Sequence, residues 1–249
     1  MRTTVFDTPV LSTLMRWIAI IILKFGGWRA VGNVPTIDKY VGIAAPHTTN
    51  WDFVWLICLA LKLKVKVYWM GKHTLFKGAA GPIMRWLGGI AIDRRKSGNT
   101  VAQIVEAFNT TDKLVVVIPP EGTRSRTRYW KTGFYHIAHG AEVPIALGFL
   151  DFELKVGGFG PIFVPSGDID ADMPLIKGFY QNVKGKYPDQ YGEAEVFSGK
   201  DAIDADTAPY QGDTQAFFTP SGDMENDIRL LGAYFREITT QETSRPLEG

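Results

Sequence analysis

From residue 40 to residue 150, short apolar runs rich in β-branched residues alternate with longer segments whose apolar positions recur at helical spacing. This alternation predicts an α/β fold, a single domain with a mostly parallel central sheet flanked by helices. The carboxyl ends of such strands share one edge of the sheet, and we expect a functional site there. The predicted strands cover residues 40–45, 65–70, 90–92, 114–118 and 143–150. The predicted helices cover residues 51–61, a short segment ending at 86–87, 99–108 and 134–139.

The pattern is less regular after residue 152. The stretch GGFGP at 157–161 predicts a turn, and residues 168–183 and 223–239 predict helices. Residues 184–221 carry no clean period and predict a long loop or irregular lobe, while residues 240–249 predict a frayed end. We therefore expect an N-terminal helix region at 1–35, the α/β core at 36–183, and an irregular acidic extension with a C-terminal helix at 184–249.

The N-terminal region contains the apolar run WIAIIIL between Arg16 and Lys24. This run is short for a spanning helix, which needs about 20 mostly apolar residues. Indole rings at Trp17 and Trp28 and cations at Arg16, Lys24 and Arg29 are typical of a helix that lies in the membrane interface. The alternative is a first helix packed on the protein's own core.

The net charge of +1 is unevenly divided. Residues 1–140 contain 19 Lys and Arg against 7 Asp and Glu, whereas residues 141–249 contain 8 against 19. A basic first part attracts phosphates, anionic lipid head groups or nucleic acid, although an unevenly charged solvated surface has the same composition. We expect no nucleic-acid partner, because recognition motifs are missing from the sequence and its second part is acidic.

Several enzyme classes are disfavoured by the residue inventory. The single cysteine, Cys58, permits neither an intramolecular disulfide nor a cysteine metal cluster. A serine hydrolase of the nucleophile-elbow type is disfavoured because the sequence contains no G-x-S-x-G. His136 and His139 have helical i,i+3 spacing but lack a third nearby ligand, so we expect no metal site.

The stretch PHTTNWD, residues 46–52, joins a predicted strand to a predicted helix. His47 at the strand exit and Asp52 in the first helical turn can then face each other. A carboxylate on one imidazole nitrogen fixes the tautomer and leaves the other nitrogen to accept a proton from a hydroxyl group. The alternative is that Asn50 caps the helix and Asp52 only complements the helix dipole.

A second polar loop, PPEGTR at 119–124, follows the buried-type run LVVVI. Gly122 permits a close backbone approach to a ligand, and Arg124 can donate two hydrogen bonds to a phosphate. The run GGIAI also ends in charged residues, Asp93 and Arg94, at a predicted strand exit. A basic solvated loop and a surface Asp–Arg pair are the alternatives for these two segments.

The order of HTTNWD, GGIAIDRR, PPEGTRS with YWKTGF, and VPI resembles the four sequence blocks of the glycerolipid acyltransferase family. That family includes the bacterial 1-acylglycerol-3-phosphate acyltransferases, and the resemblance covers about residues 40–150. It implies that His47 is the general base and that Asp52 holds it. Pro46 departs from the asparagine that phosphatidic-acid-forming members often have, which leaves the acceptor open.

The resemblance also implies a set of substrate-binding residues around the acceptor's glycerol phosphate. Glutamate and arginine side chains hold this group in the family, two loop residues shape the site, and a basic residue often follows. The corresponding positions in this chain are Arg94, Glu121, Gly122, Thr123, Arg124 and Lys131.

The implied function is transfer of a fatty acyl group to the free hydroxyl of a lysophospholipid, with 1-acylglycerol 3-phosphate giving phosphatidic acid. Acyl-CoA or acyl-carrier protein would be the donor substrate, and we expect no cofactor. A different acceptor, such as glycerol 3-phosphate or another lysolipid, and a non-catalytic lipid-binding relative are the alternatives. We expect a peripheral protein on an anionic membrane surface at the cytoplasmic face.

Overall fold

The computed structural model describes residues 2–92, 97–192, 195–196 and 217–243. Seven α-helices and ten strands lie within these residues, together with short 3-10 helices. The helices are α1 (Pro9–Gly26), α2 (Trp51–Leu63), α3 (Ala80–Trp86), α4 (Ser97–Asn109), α5 (Gly133–Gly140), α6 (Ile169–Tyr180) and α7 (Met224–Thr243). The strands are β1 (Arg29–Val31), β2 (Lys39–Ala45), β3 (Tyr68–Lys72), β4 (Gly89–Ile92), β5 (Leu114–Ile118), β6 (Tyr129–Trp130), β7 (Ile145–Asp151), β8 (Val156–Phe163), β9 (Glu195–Val196) and β10 (Phe217–Phe218).

The central sheet has the strand order β1-β8-β7-β2-β5-β3-β4, and β10 pairs with β8. Strands β7, β2, β5, β3 and β4 run parallel, while β8 is antiparallel to β7. Strands β6 and β9 form a separate two-stranded sheet. The predicted α/β class with a mostly parallel sheet is therefore confirmed. Because β2 and β5 are parallel neighbours, the segments that follow them start at the same edge.

Two hydrophobic cores cover the two faces of the sheet, because successive side chains of a strand point to opposite sides. In β2, Val41 and Ile43 belong to the core formed with α4, α5, α6 and α7, whereas Tyr40 belongs to the core formed with α1 and α2. The strand is thus buried on both faces, as parallel strands usually are. β2 ends at Ala45, where the polar loop that carries His47 begins.

The predicted strands and helices between residues 40 and 150 are confirmed with shifts of a few residues at their ends. The turn predicted at GGFGP is wrong, because these residues lie inside β8. The glycines there serve close packing: a side chain on Gly158 would overlap the carbonyl oxygen of Val31 in β1, and one on Gly160 would overlap the ring of Phe179. The glycines that predicted a turn are therefore required for close packing inside β8.

The N-terminal helix α1 is confirmed, but two of its expected flanking residues lie elsewhere. Trp28 is buried and stacks on Trp55 at a ring-centroid distance of 4.9 Å, so its assignment to the head-group level is wrong. Arg29 begins β1. Within the described residues α1 is the one helix long and apolar enough to cross a membrane, by length and composition, with a mean hydropathy of 1.5.

The region predicted as an irregular lobe falls partly outside the described residues. Its described part contains a short 3-10 turn at Pro188–Gln190 and strands β9 and β10. The C-terminal helix α7 is confirmed and continues to Thr243, beyond the predicted end at residue 239. The division of the chain at residues 35 and 183 stays a prediction.

We predict that Gly158→Ala lowers the free energy of unfolding by about 3 kcal/mol, since the new methyl group must separate β1 from β8. Urea unfolding measures this change. Gly133→Ala is the matched control, because outside its chain neighbours and its own helix backbone no described atom lies within 4 Å of the added carbon, and alanine favours α5. Equal stability of the two variants would contradict the packing assigned to β8.

Candidate active site

The histidine loop, residues 46–50, connects the end of β2 to the start of α2. His47 Nδ1 lies 3.0 Å from Oδ2 of Asp52, which is in the first turn of α2. The histidine side chain is 24% exposed, whereas Asp52 is buried. A carboxylate at Nδ1 favours the tautomer with its proton on that nitrogen, so Nε2 remains as the basic nitrogen.

The Asp52 carboxylate also orders the main chain of the histidine loop. Its Oδ2 accepts the backbone N–H groups of Thr48 and Thr49, each at 2.9 Å. Its Oδ1 is buried and has no partner among the described residues. The Asn50 side chain makes no capping hydrogen bond, so the alternative in which Asn50 caps α2 does not hold. Asp52 therefore does more than complement the helix dipole.

Glu121 reaches the histidine loop from the neighbouring strand, β5. Its Oε1 accepts the backbone N–H of His47 at 2.9 Å, and its side chain is almost fully buried. Burial raises the pKa of the Glu121 carboxyl to about 7. The observed contact fixes the main chain beside the imidazole, and the implied role of Glu121 in acceptor binding stays a prediction.

The arginine loop, residues 119–126, begins with a turn in which Gly122 N–H donates to Pro119 O at 3.1 Å. Gly122 has a φ of +62°, a conformation that side chains disfavour. The Lys131 side chain lies against it, and its Cδ would be 3.0 Å from a carbon added at Gly122. Lys131 N–H donates to Pro120 O at 2.8 Å. Because Gly122 has no side chain, the Lys131 side chain can pass across the loop at this position.

The outer part of the arginine loop is exposed. Thr123 Oγ1 accepts the backbone N–H of Ser125 at 3.3 Å, and the Arg124 side chain is exposed next to it. Arg94 lies outside the described residues, although β4, which precedes it, ends at the same edge of the sheet as β5. The structure therefore brings His47, Asp52, Glu121, Gly122 and Lys131 together, with Thr123 and Arg124 on the outer side.

A segment missed by the sequence reasoning lies against the histidine loop. Tyr187 N–H donates to Thr48 Oγ1 at 3.3 Å, across 139 residues of sequence. The residues around Tyr187 carry no regular pattern or motif, and so large a separation gives no local signal. Part of the predicted irregular lobe thus belongs to the site.

An acyltransferase family model matches residues 30–146. This range includes β2, the histidine loop, β5 and the arginine loop. The match covers a little under half of the chain and shows that this part is similar to the acyltransferase family. The short motifs that carried the resemblance all lie within residues 30–146.

Curated relatives cover the same part of the chain. The 1-acyl-sn-glycerol-3-phosphate acyltransferases alpha of Mus musculus and Homo sapiens are 29% and 28% identical over 123 residues. The match covers 47% of this chain and 42% of each relative, so it spans less than half of the relatives' length. The crystal structure of the 1-acyl-sn-glycerophosphate (LPA) acyltransferase PlsC from Thermotoga maritima has a TM-score of 0.45 at 16% identity, over 64% of this chain and 71% of that chain.

Other reactive groups within residues 30–146 are poorly suited to catalysis. Cys58 in α2 is buried, and burial raises the pKa of its thiol to about 11, so a thiolate nucleophile is disfavoured. Among the described residues, no group of three or more His, Cys, Asp and Glu side chains is arranged to hold a metal ion. Compared with these groups, the His47–Asp52 pair is the arrangement best suited to acid–base chemistry.

We predict that Glu121→Gln flattens the pH dependence of stability. The wild-type carboxyl binds its proton up to about pH 7 when folded but loses it near pH 4.5 when unfolded. Stability from this group is therefore full below pH 4.5 and is lost as the pH rises through 7, a change of up to about 3 kcal/mol that glutamine cannot undergo.

Urea unfolding of the wild type and of Glu121→Gln at pH 5 and pH 8 checks this difference. Glu106→Gln removes an exposed carboxyl on α4 and is the matched control. If the wild type and Glu121→Gln change in parallel between the two pH values, Glu121 is not a buried titrating group.

Proposed function

We propose that this protein is an O-acyltransferase that moves a fatty acyl group from acyl-CoA or acyl-carrier protein to the free hydroxyl of a lysophospholipid. The proposed acceptor is 1-acylglycerol 3-phosphate, and the product is phosphatidic acid. The observation that carries this proposal is the 3.0 Å contact between His47 Nδ1 and Asp52 Oδ2 at a strand end next to the arginine loop. The similarity of residues 30–146 to the acyltransferase family supports the same chemistry.

In the proposed reaction, His47 Nε2 takes the proton from the acceptor hydroxyl, while the hydroxyl oxygen attacks the carbonyl carbon of the thioester. The tetrahedral intermediate then collapses, the carbon–sulfur bond breaks, and the imidazolium returns its proton to the leaving thiolate. The acyl group passes directly to the acceptor, so no covalent enzyme intermediate forms. Asp52 stabilises the positive charge on the imidazole during the first step.

The arginine loop is the proposed binding site for the acceptor's phosphate. The exposed Arg124 guanidinium can donate two parallel hydrogen bonds to phosphate oxygens, and Lys131 adds a second cation beside Gly122. Arg94 is proposed as a further ligand from the segment after β4. Holding the phosphate and the base together makes the reaction effectively unimolecular, which can contribute several kcal/mol to catalysis.

The lipid substrates require contact with a membrane, and α1 is the proposed contact. Its exposed face presents an apolar stripe that repeats at helical spacing along the whole helix, formed by Val10, Leu14, Trp17, Ile21 and Phe25. A stripe of this kind can be buried among lipid chains, while the basic first part of the protein attracts anionic head groups. We propose that the protein acts peripherally at the cytoplasmic face of the membrane.

We predict that His47→Ala and Asp52→Asn each lower kcat for acyl transfer by at least about 100-fold, since the first removes the general base and the second removes the carboxylate that positions it. The assay uses purified protein, labelled acyl-CoA, and a panel of lysophospholipids plus glycerol 3-phosphate, with the products resolved by mass. His139→Ala, at the end of α5 near the start of β7 and so toward the opposite edge of the sheet, is the matched control. Full activity of either site variant would contradict the assigned mechanism, and the panel identifies the acceptor.

We predict that the wild-type protein floats with vesicles that contain an anionic phospholipid, whereas the double variant Ile21→Asp, Phe25→Asp stays largely in the soluble fraction. Two carboxylates on the apolar stripe oppose its burial in lipid. Leu230→Asp, at an exposed apolar position on α7, is the control. Equal flotation of the double variant and the wild type would show that this face of α1 does not contact the membrane.

A further inference from the structure

The bridging segment, residues 183–192, follows α6 and crosses the edge of the sheet at which the site lies. Its start is tied to the end of β7. Asp151, the last residue of β7, is buried and accepts the backbone N–H of Lys184 at 2.8 Å, and Lys184 O accepts the backbone N–H of Phe152 at 2.8 Å. Because β7 is a parallel neighbour of β2, this anchor lies beside the histidine loop.

The middle of the bridging segment packs on the histidine loop. Gly185 is buried, and a carbon added there would lie 3.0 Å from Thr48 Oγ1 and 3.1 Å from Pro46 Cβ. Two residues later, Tyr187 N–H donates to Thr48 Oγ1. The loop that carries His47 is thus held from inside by Asp52 and from outside by the bridging segment.

The end of the bridging segment joins the two loops of the site. The side-chain amide of Gln190 lies between the carbonyl oxygens of Thr48 and Arg124. With its nitrogen toward them, the amide donates to Thr48 O at 3.1 Å and to Arg124 O at 2.9 Å, which satisfies both carbonyls. One –NH₂ group with two hydrogens matches this pair of acceptors, and a carboxylate in its place would have none to donate.

We propose that Gln190 is a positioning residue that fixes the arginine loop against the histidine loop and so sets the separation between the acceptor's phosphate and the catalytic base. This inference rests on the proposed function. Arg124 carries its guanidinium on an exposed loop, and His47 carries its imidazole on a different loop from another strand. The Gln190 amide is a direct connection between the main chains of the two loops on the solvent side.

The bond energies fix the size of the expected effect. Gln190 is exposed, so its two hydrogen bonds replace bonds to water and each has a modest net value. Their loss should leave the fold intact but let the arginine loop move relative to His47. We expect Gln190→Ala to lower kcat/KM for a phosphate-bearing acceptor by about three- to tenfold, mainly through a higher KM for that acceptor.

The experiment compares Gln190→Ala and Gln190→Glu with the wild type and with two reference variants. Arg124→Ala should raise the same acceptor KM, since it removes the phosphate ligand directly. Asp189→Asn, an exposed change on the same 3-10 turn, should behave as the wild type. The acyl-donor KM and the Tm should stay at the wild-type values in both Gln190 variants.

Gln190→Glu adds a pH readout that a general structural role would not give. Above the pKa of the new carboxyl, the ionised glutamate faces two carbonyl oxygens with no hydrogen to donate. It should therefore raise the KM for the acceptor at least as much as alanine does. As the pH falls and the carboxyl gains a proton, it can donate one hydrogen bond, so the activity ratio of Gln190→Glu to wild type should rise. A ratio that stays constant with pH would overturn the proposed bridge.

A second readout does not depend on activity. The bridged carbonyl of Arg124 belongs to the peptide bond that trypsin cleaves after this residue, so Gln190→Ala should speed cleavage there while Asp189→Asn does not. Unchanged cleavage and an acceptor KM within twofold of the wild type would contradict the inference. If the wild type transfers no acyl group to any acceptor, the proposed function fails, and the cleavage rates still decide whether Gln190 bridges the two loops.

Discussion

One carboxylate oxygen determines the geometry of the site. Asp52 Oδ2 lies 3.0 Å from His47 Nδ1 and also accepts the backbone N–H groups of Thr48 and Thr49. Because Asp52 is buried in the first turn of α2, these three contacts fix the imidazole and the loop that carries it to the same rigid helix. These contacts favour one ring orientation and the tautomer with its proton on Nδ1, which is the arrangement that a general base at Nε2 requires.

The sheet supplies the other half of the arrangement. Adjacent parallel strands β2 and β5 end at one edge, and Glu121 connects the loops that follow them through the His47 backbone N–H. Burial raises the pKa of the Glu121 carboxyl to about 7. Below that pH the neutral form of this carboxyl, behind the histidine loop, is favoured over the ionised form. On the inner side of the site, the carboxyl groups of Asp52 and Glu121 accept backbone N–H groups of the histidine loop. The outer side carries the cations Arg124 and Lys131.

The sequence predicted the elements whose signal is local. The run LVVVI and the alternation around it predicted β5 and its neighbours, and the spacing of His47 and Asp52 predicted a contact across one turn. Interactions that depend on distant segments were not predicted. The glycines of β8 resembled a turn, but they are required there by close contacts with Val31 and Phe179 in other segments of the chain. Trp28 resembled an interfacial residue because its stacking partner, Trp55 on α2, is distant in sequence. Gln190 gave no signal, since its partners are two backbone carbonyls in separate loops.

The central claim is that the Asp52 carboxylate holds the proton on Nδ1 of His47 and leaves Nε2 free. Long-range ¹⁵N–¹H NMR correlation of the His47 ring tests it directly, at a pH where the ring is neutral. We expect the Nδ1–H tautomer in the wild type and a mixed or reversed population in Asp52→Asn. A wild-type ring with its proton on Nε2 would contradict the assignment of His47 as the base.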